Sequence, residues 1–308
     1  MILLVGLDGY DYRWGGLLEQ AGYSVAPMHA PVPLSWVAWN TIGTGIDAKS
    51  WGVSDNPVDY LEFNRERIPR PPYLWERMAE SGQAALVANW PFVLTPQPFY
   101  GTLVCGYPAP ETHYVIPADQ AGRWDYRELD LSARYMQASE EQKARLLALP
   151  AREHLRNATV LRNRLALRVI EQAQETAPAM TALGIMNCDR LSHYANAVML
   201  DEQFRAELLV GLTETVAMVE QALQPECTIL FSDHGLDLEA PARTGGPGYT
   251  THAIELPDSM TGVLALRQVG YKLPSMTAQQ IDVAPMVLNR LGIGHDLAGI
   301  DRSVPQGD

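Results

Sequence analysis

The sequence holds only 3 cysteines in 308 residues, and Cys105, Cys188 and Cys227 are odd in number and far apart. That spacing excludes a disulfide framework and a CxxC zinc motif, so a reducing cytoplasm is the expected compartment. Positive charge is also scarce: 23 Lys+Arg stand against 36 Asp+Glu, a formal net charge of −13. Such a chain repels phosphate backbones, which excludes a long nucleic acid held by a general basic surface. No apolar run approaches the roughly 18 residues of a membrane helix. The opening stretch lacks a basic n-region and reaches Asp8 after seven residues, so neither a signal peptide nor a membrane span is expected. Charged residues make up 19% of the chain, below the about one quarter usual for globular domains, while 47% is hydrophobic. Dominant disorder is thereby excluded. At this length about three quarters of the unfolded surface can be buried, in one large domain with an insertion or in two modest ones.

What is present is a rhythm of short apolar runs ending in acidic or polar residues. Ile2–Leu7 ends in Asp8-Gly9, 181–186 ends in Asn187-Cys188-Asp189, and 228–231 ends in Ser232-Asp233-His234-Gly235. Further runs cover 83–89 and 262–266. Helical patterns lie between them, over 202–223 and 279–291, with Gly82 and Gly292 suited to C-terminal caps. Strands alternating with helices predict a doubly wound, mostly parallel sheet, whose functional groups gather at the carboxyl ends of strands. Residues 108–177 break the rhythm with a proline-bearing loop and a long helical pattern interrupted at Pro150. This segment is expected to be a helical insertion or cap, dividing the chain into a core of 1–107 and 178–308 and the inserted 108–177.

The chemistry-bearing residues fall at those strand ends. Asp233-His234 follows one strand. Asp189 and His193 follow another, four residues apart and so on one face of any helix starting there. Asp8 ends the first strand, and His252 lies in a Gly/Thr-rich stretch. Carboxylate with imidazole is the ligand set of zinc and related divalent ions. Two such sites in one cleft would hold ions about 4 Å apart, as in phosphoryl transfer. Taken singly, each residue also has an ordinary reading as a cap, loop or surface group, and on pattern alone both readings stand.

Longer motifs carry a resemblance. The opening VGLDG, the stretch Pro33-Leu34-Ser35-Trp36-Val37-Ala38-Trp39-Asn40-Thr41-Ile42-Gly43-Thr44-Gly45, the segment Trp51-Gly52-Val53-Ser54-Asp55-Asn56, LVANWP, GTLVCG and IDVAPMVLNRLGI occur in this order. Together with Asp189, His193, Asp233, His234 and His252 they resemble the alkaline phosphatase superfamily, in its type I phosphodiesterase/nucleotide pyrophosphatase-like branch of compact bacterial and archaeal members. The resemblance implies a three-layer α/β/α sandwich with a mostly parallel central sheet and a helical insertion. It also implies Ser35 as nucleophile and metal ligand, and Asn56 as a donor to a phosphoryl oxygen. One divalent ion would be held by Asp189, His193 and His252, a second by Asp8, Asp233 and His234. Zinc is the first expectation and manganese the second. Three ligand carboxylates against two divalent ions would leave this centre positive within an acidic chain. The chain departs from the family at Trp51, where a histidine is common, and His252 follows His234 by only eighteen residues, without the long insertion of the larger nucleotide pyrophosphatases.

The implied activity is hydrolysis of phosphodiester or nucleotide pyrophosphate bonds through a phosphoryl- or nucleotidyl-serine intermediate. The substrate would be a small phosphoester or nucleotide, with no long nucleic acid and no membrane as partner. A phosphomonoesterase or phosphomutase on the same scaffold is the near alternative, and a catalytically idle metal- or nucleotide-binding protein the remote one. A sulfatase is disfavoured, because no Cys-x-Pro-x-Arg pattern occupies the nucleophile segment. Trp36, Trp51 and Trp90 read either as a stacking wall for a base or as core packing. The arginines of the long helix, Arg152, Arg156, Arg162, Arg164 and Arg168, read either as substrate cations or as a solvated face.

Overall fold

The computed structural model describes residues 1–56, 70–94, 99–106, 115–124, 139–194, 196–240 and 257–305. Its strands are β1 (Ile2–Leu7), β2 (Ser24–His29), β3 (Ala85–Trp90), β4 (Gly101–Cys105), β5 (Val115–Ile116), β6 (Met180–Ile185), β7 (Cys227–Phe231), β8 (Thr261–Arg267), β9 (Tyr271–Lys272), β10 (Ala278–Gln279) and β11 (Val304–Pro305). Its α-helices are α1 (Gly16–Gln20), α2 (Ser35–Thr44), α3 (Leu74–Glu80), α4 (Glu140–Leu147), α5 (Ala151–Thr176), α6 (Asn187–Tyr194), α7 (Asn196–Leu200), α8 (Glu202–Leu223) and α9 (Val283–Arg290). All but β9 and β11 join one sheet in the order β10-β2-β8-β7-β1-β6-β3-β4-β5. From β7 to β4 the neighbours run parallel, while β8 is antiparallel to both β7 and β2.

The central strands form because their side chains are apolar on both faces, which only a sheet covered on both sides can bury. In β1 the alternation divides them cleanly. Ile2 and Leu4 join a cluster with Val37, Trp39 and Ile42 of α2 and Met286 and Val287 of α9. Leu3, Val5 and Leu7 join a second cluster with Leu18 of α1, Leu165 and Val169 of α5 and Leu212 of α8. The result is a three-layer α/β/α sandwich. The five strands expected from the sequence, β1, β3, β6, β7 and β8, start and end within two residues of the expected positions. β2 is not evident from sequence, because Pro27 interrupts it. The strand tolerates the proline because β10 pairs only with Met28 and His29, leaving Pro27 with β8 alone.

α4 and α5 flank Pro150 as the sequence predicts. Leu155, Ala158, Leu165, Ala166, Val169, Ile170 and Ala173 recur at helical spacing and are buried in the core cluster against β1, β3 and β6. α5 is therefore a constitutive part of one α layer, together with α8. No helix among the described residues is long and apolar enough to cross a membrane.

One glycine fixes the distance between β1 and α2. A Cβ on Gly6 would lie 2.2 Å from the Trp39 ring and 2.6 Å from that of Phe231. Trp39 of α2 packs against β1 at that point, on the sheet face that also buries Ile2 and Leu4. Gly6→Ala is expected to destabilise the protein by about 1–3 kcal/mol through overpacking. Denaturant unfolding checks this, and unchanged stability would contradict the stated packing.

Candidate active site

Each central strand delivers its next residues to the same edge. Asp8 follows β1, Asp233 and His234 follow β7, and Asp189 lies in the first turn of α6 directly after β6. Gly9 has φ +69°, and a Cβ there would lie 3.1 Å from the Asp189 backbone, so the turn after β1 admits Asp189 only because position 9 is glycine. The Asp189 N–H donates to the Asp8 carbonyl (3.2 Å), and the Gly9 N–H donates to Asp233 Oδ1 (3.2 Å). Ser35 enters from the opposite layer as the first residue of α2.

The side chains converge. His234 Nε2 lies 3.2 Å from Ser35 Oγ, 3.3 Å from Asp233 Oδ2 and 3.5 Å from Asp8 Oδ1. His193 Nε2 lies 3.1 Å from Asp189 Oδ1, one helical turn apart on α6. Ligand atoms of Asp8, Asp189 and His234 all lie within 4.8 Å of one another. The structure thus brings together Ser35, Asp8, Asp189, His193, Asp233 and His234. His252 lies outside the described residues. Asn56 sits exposed on the loop after Trp51, its N–H donating to Ser54 Oγ (3.0 Å). That loop is tied to the nucleophile segment by the Trp36 indole N–H, which donates to the Ser54 carbonyl (2.9 Å).

The electrostatics of the cluster are unfavourable without a cation. Asp8 is 1% exposed, and neither of its carboxylate oxygens accepts a hydrogen bond among the described residues. Burial, then the charges of Asp233 and Asp189, push its pKa well above the ordinary carboxylate range. The Arg190 charge and the nearby Trp39 indole oppose this only in part; Arg190 Nη1 lies 3.7 Å from Asp189 Oδ2. Burial lowers the pKa of His234, favouring neutral imidazole. Its Nδ1 lies 2.8 Å from the Gly235 carbonyl, a contact satisfied by an Nδ1–H tautomer that leaves the Nε2 lone pair facing the carboxylates.

These residues fit a divalent metal. The donor set is carboxylate and neutral imidazole, and the unsatisfied Asp8 oxygens are what a cation would complete. The separations of 3.1–3.5 Å are close to the about 3.4 Å that tetrahedral ligands at ~2.1 Å from one ion must have.

The tryptophan expectation is corrected in one position. Trp90 is 1% exposed and packs edge-on to Trp39 (4.9 Å) and Trp75 (5.4 Å), so it is a core residue rather than a substrate wall. Its place on a strand buried on both faces explains this. Trp36 and Trp51 are half-buried, and Trp36 lies 6.4 Å from the Phe92 ring.

Several positioning residues escape sequence reasoning. Gln280 Nε2 donates to the Asp233 carbonyl (2.6 Å), and Ser232 Oγ donates to the His234 carbonyl (2.6 Å). Asn40 Nδ2 donates to the Trp36 and Phe92 carbonyls, and its Oδ1 accepts from the Tyr73 hydroxyl, which in turn accepts from the Leu94 N–H. This network holds the first turn of α2. Its partners are distant in sequence, and only the adjacency of Arg190 to Asp189 leaves a local signal.

No family model matches the chain, and no curated protein matches it in sequence. Solved structures do match in fold. Murine ectonucleotide pyrophosphatase/phosphodiesterase 5, as an inactive variant in complex with AMP, superposes with a TM-score of 0.60 at 10% identity, covering 97% of this chain and 96% of that one. Its human counterpart gives 0.58 at 12%, covering 97% and 96%. A 2-O glycosaminoglycan sulfatase, BT1596, gives 0.54 at 14%, covering 97% and 72%. The chain therefore has the alkaline phosphatase-like fold that these proteins share.

The carboxylate cluster generates a prediction. Asp8→Asn removes one of three buried like charges, so it is expected to stabilise the metal-free protein by about 1–4 kcal/mol while weakening metal binding at least about tenfold. Unfolding of the apo protein and metal titration check the two effects together. Unaltered metal affinity would remove Asp8 from the ligand set.

Proposed function

We propose that the protein is a metal-dependent hydrolase of small phosphodiesters or nucleotide pyrophosphates, acting through a covalent phosphoryl- or nucleotidyl-serine intermediate. The observation that carries this reading is the placement of Ser35 Oγ, at a helix N-terminus, 3.2 Å from a histidine that also faces Asp8 and Asp233. Asp8, Asp233 and His234 are assigned to one divalent ion, and Asp189, His193 and His252 to a second. Zinc is favoured and manganese is the alternative. Bound there, such ions supply a lowered pKa for the serine hydroxyl and charge stabilisation of the leaving oxygen.

The chain's own residues supply the rest. Ser35 Oγ–H gives up its proton to solvent as Oγ attacks phosphorus; a P–Oγ bond forms, and the bond to the leaving oxygen breaks with its electron pair going to that oxygen, which takes up a proton. Water then loses a proton as it attacks the phosphorylated serine, and the P–Oγ bond breaks with its electron pair going to Oγ, which takes up a proton to regenerate the hydroxyl. The first-turn N–H groups of α2 point their partial positive charge at this centre and favour an anionic group beside Ser35. Asn56 is assigned as a neutral donor to a phosphoryl oxygen, suited to a diester with its single negative charge. Trp36 is retained as a wall of the entrance. The nucleophile segment has Val37 and Trp39 where the sulfatase pattern has proline and arginine, which weighs against sulfate esters. Three buried free cysteines are consistent with a reducing compartment.

The test is turnover of the metal-loaded protein on bis-aryl phosphodiesters, thymidine monophosphate aryl esters, aryl phosphomonoesters and aryl sulfates. Diester hydrolysis at least about tenfold faster than the other two classes is expected. Ser35→Ala is expected to keep fold and metal and to lose about a thousandfold or more in kcat. Equal turnover by that variant would refute Ser35 as nucleophile, and faster monoester cleavage would favour a phosphomonoesterase.

A further inference from the structure

On the outer side of the α layer, α5 and α8 leave between them a groove of about 510 Å³. Its floor contains Arg162, at a position of α5 flanked by Leu161 and Leu165, where the helix otherwise buries apolar side chains. Arg162 is 4% exposed. Its guanidinium makes one hydrogen bond among the described residues, Nε to Thr215 Oγ1 (2.7 Å). Nη1 is buried with no partner, and no described carboxylate forms an ion pair with this side chain. Gly211 of α8 makes room for it, since a Cβ there would lie 2.8 Å from Nη2. Burial lowers the Arg162 pKa to about 10, so the group is a cation at neutral pH. The exposed Glu214 carboxylate lies near enough to favour the charged form but forms no ion pair, so this buried cation is only partly compensated and favours a further anion.

The rest of the groove suits such an anion. Arg152 and Arg156 stand exposed at its mouth, and the acidic lining consists of Glu207, 3.8 Å from Arg152, and exposed Glu214. Thr159 and Asn163 add neutral polar groups, and Leu155, Val160 and Met218 add apolar wall. The volume falls within the range of small-molecule sites. Planar guanidinium donors match phosphate and carboxylate oxygens alike.

We propose that the α5–α8 groove is a second binding site, separate from the Ser35 centre, for a small organic anion whose phosphate or carboxylate group is held by Arg162. The site needs no metal and does not depend on the hydrolase reading.

Calorimetric titration of the metal-loaded protein with benzylphosphonate and with succinate tests this and distinguishes the two anion sources. Binding of one or both probes is expected to persist in Ser35→Ala and to weaken about 10–100-fold in Arg162→Gln. Arg156→Gln, exposed and safe for folding, is expected to weaken it about threefold or more. That variant keeps the proposal testable should Arg162→Gln fail to fold. Phosphonate binding alone assigns a phosphate-bearing ligand, and succinate binding alone a carboxylate. Absence of binding beyond the metal centre, or binding that is unchanged in the arginine variants, would overturn the site.

Discussion

Three carboxylates buried within a few ångströms of one another are the constraint around which this protein is arranged. Asp8, Asp189 and Asp233 each end or follow a central strand, and the parallel sheet forces those ends to one edge. Like charges at such a site repel, and burial removes the water that would screen them. The fold accepts this because its two apolar clusters hold the strands in register from both sides. It also holds the turns individually: Gly9 admits the Asp189 backbone, Gln280 grips the Asp233 carbonyl, and Gly6 lets the Trp39 ring of α2 pack close against β1. Stability is lost at this edge in order to position charge, as is common at functional sites.

Much of this was legible in the sequence, for physical reasons. A strand buried on both faces must be an apolar run, and the first polar residue after it must emerge at the edge. Asp8, Asp189, Asp233 and His234 were therefore visible without analogy. Asp189 and His193 meet because residues four apart share a helix face. Ser35 was different. Nothing local distinguishes a serine at the start of a helix from an ordinary one; the order of motifs singles it out, and its Oγ lies 3.2 Å from His234 Nε2.

What could not be read depends on contacts made far along the chain. Tyr73 meets Asn40, and Gln280 meets Asp233, across separations that leave no periodic trace. Trp90 reads either way in sequence, and a strand covered on both faces makes it core packing. The helix at Ala151–Thr176 follows a break in rhythm, and its spacing of apolar residues already describes a helix with one buried face. Arg162 is the informative exception on that helix, a cation where the pattern asks for an aliphatic side chain. Charge is accordingly uneven in this acidic protein: its surface repels anions, while the groove, and the edge once cations are bound, attract small ones.

The central claim is that the clustered carboxylates and histidines exist to bind cations beside Ser35. Crystallographic anomalous scattering from protein grown with zinc tests it most directly. Anomalous density is expected within about 2.0–2.2 Å of Asp8, Asp233 and His234, with a second peak at Asp189 and His193. Zinc-grown crystals with no anomalous peak at this edge, and the acidic side chains hydrogen-bonded to one another instead, would contradict it.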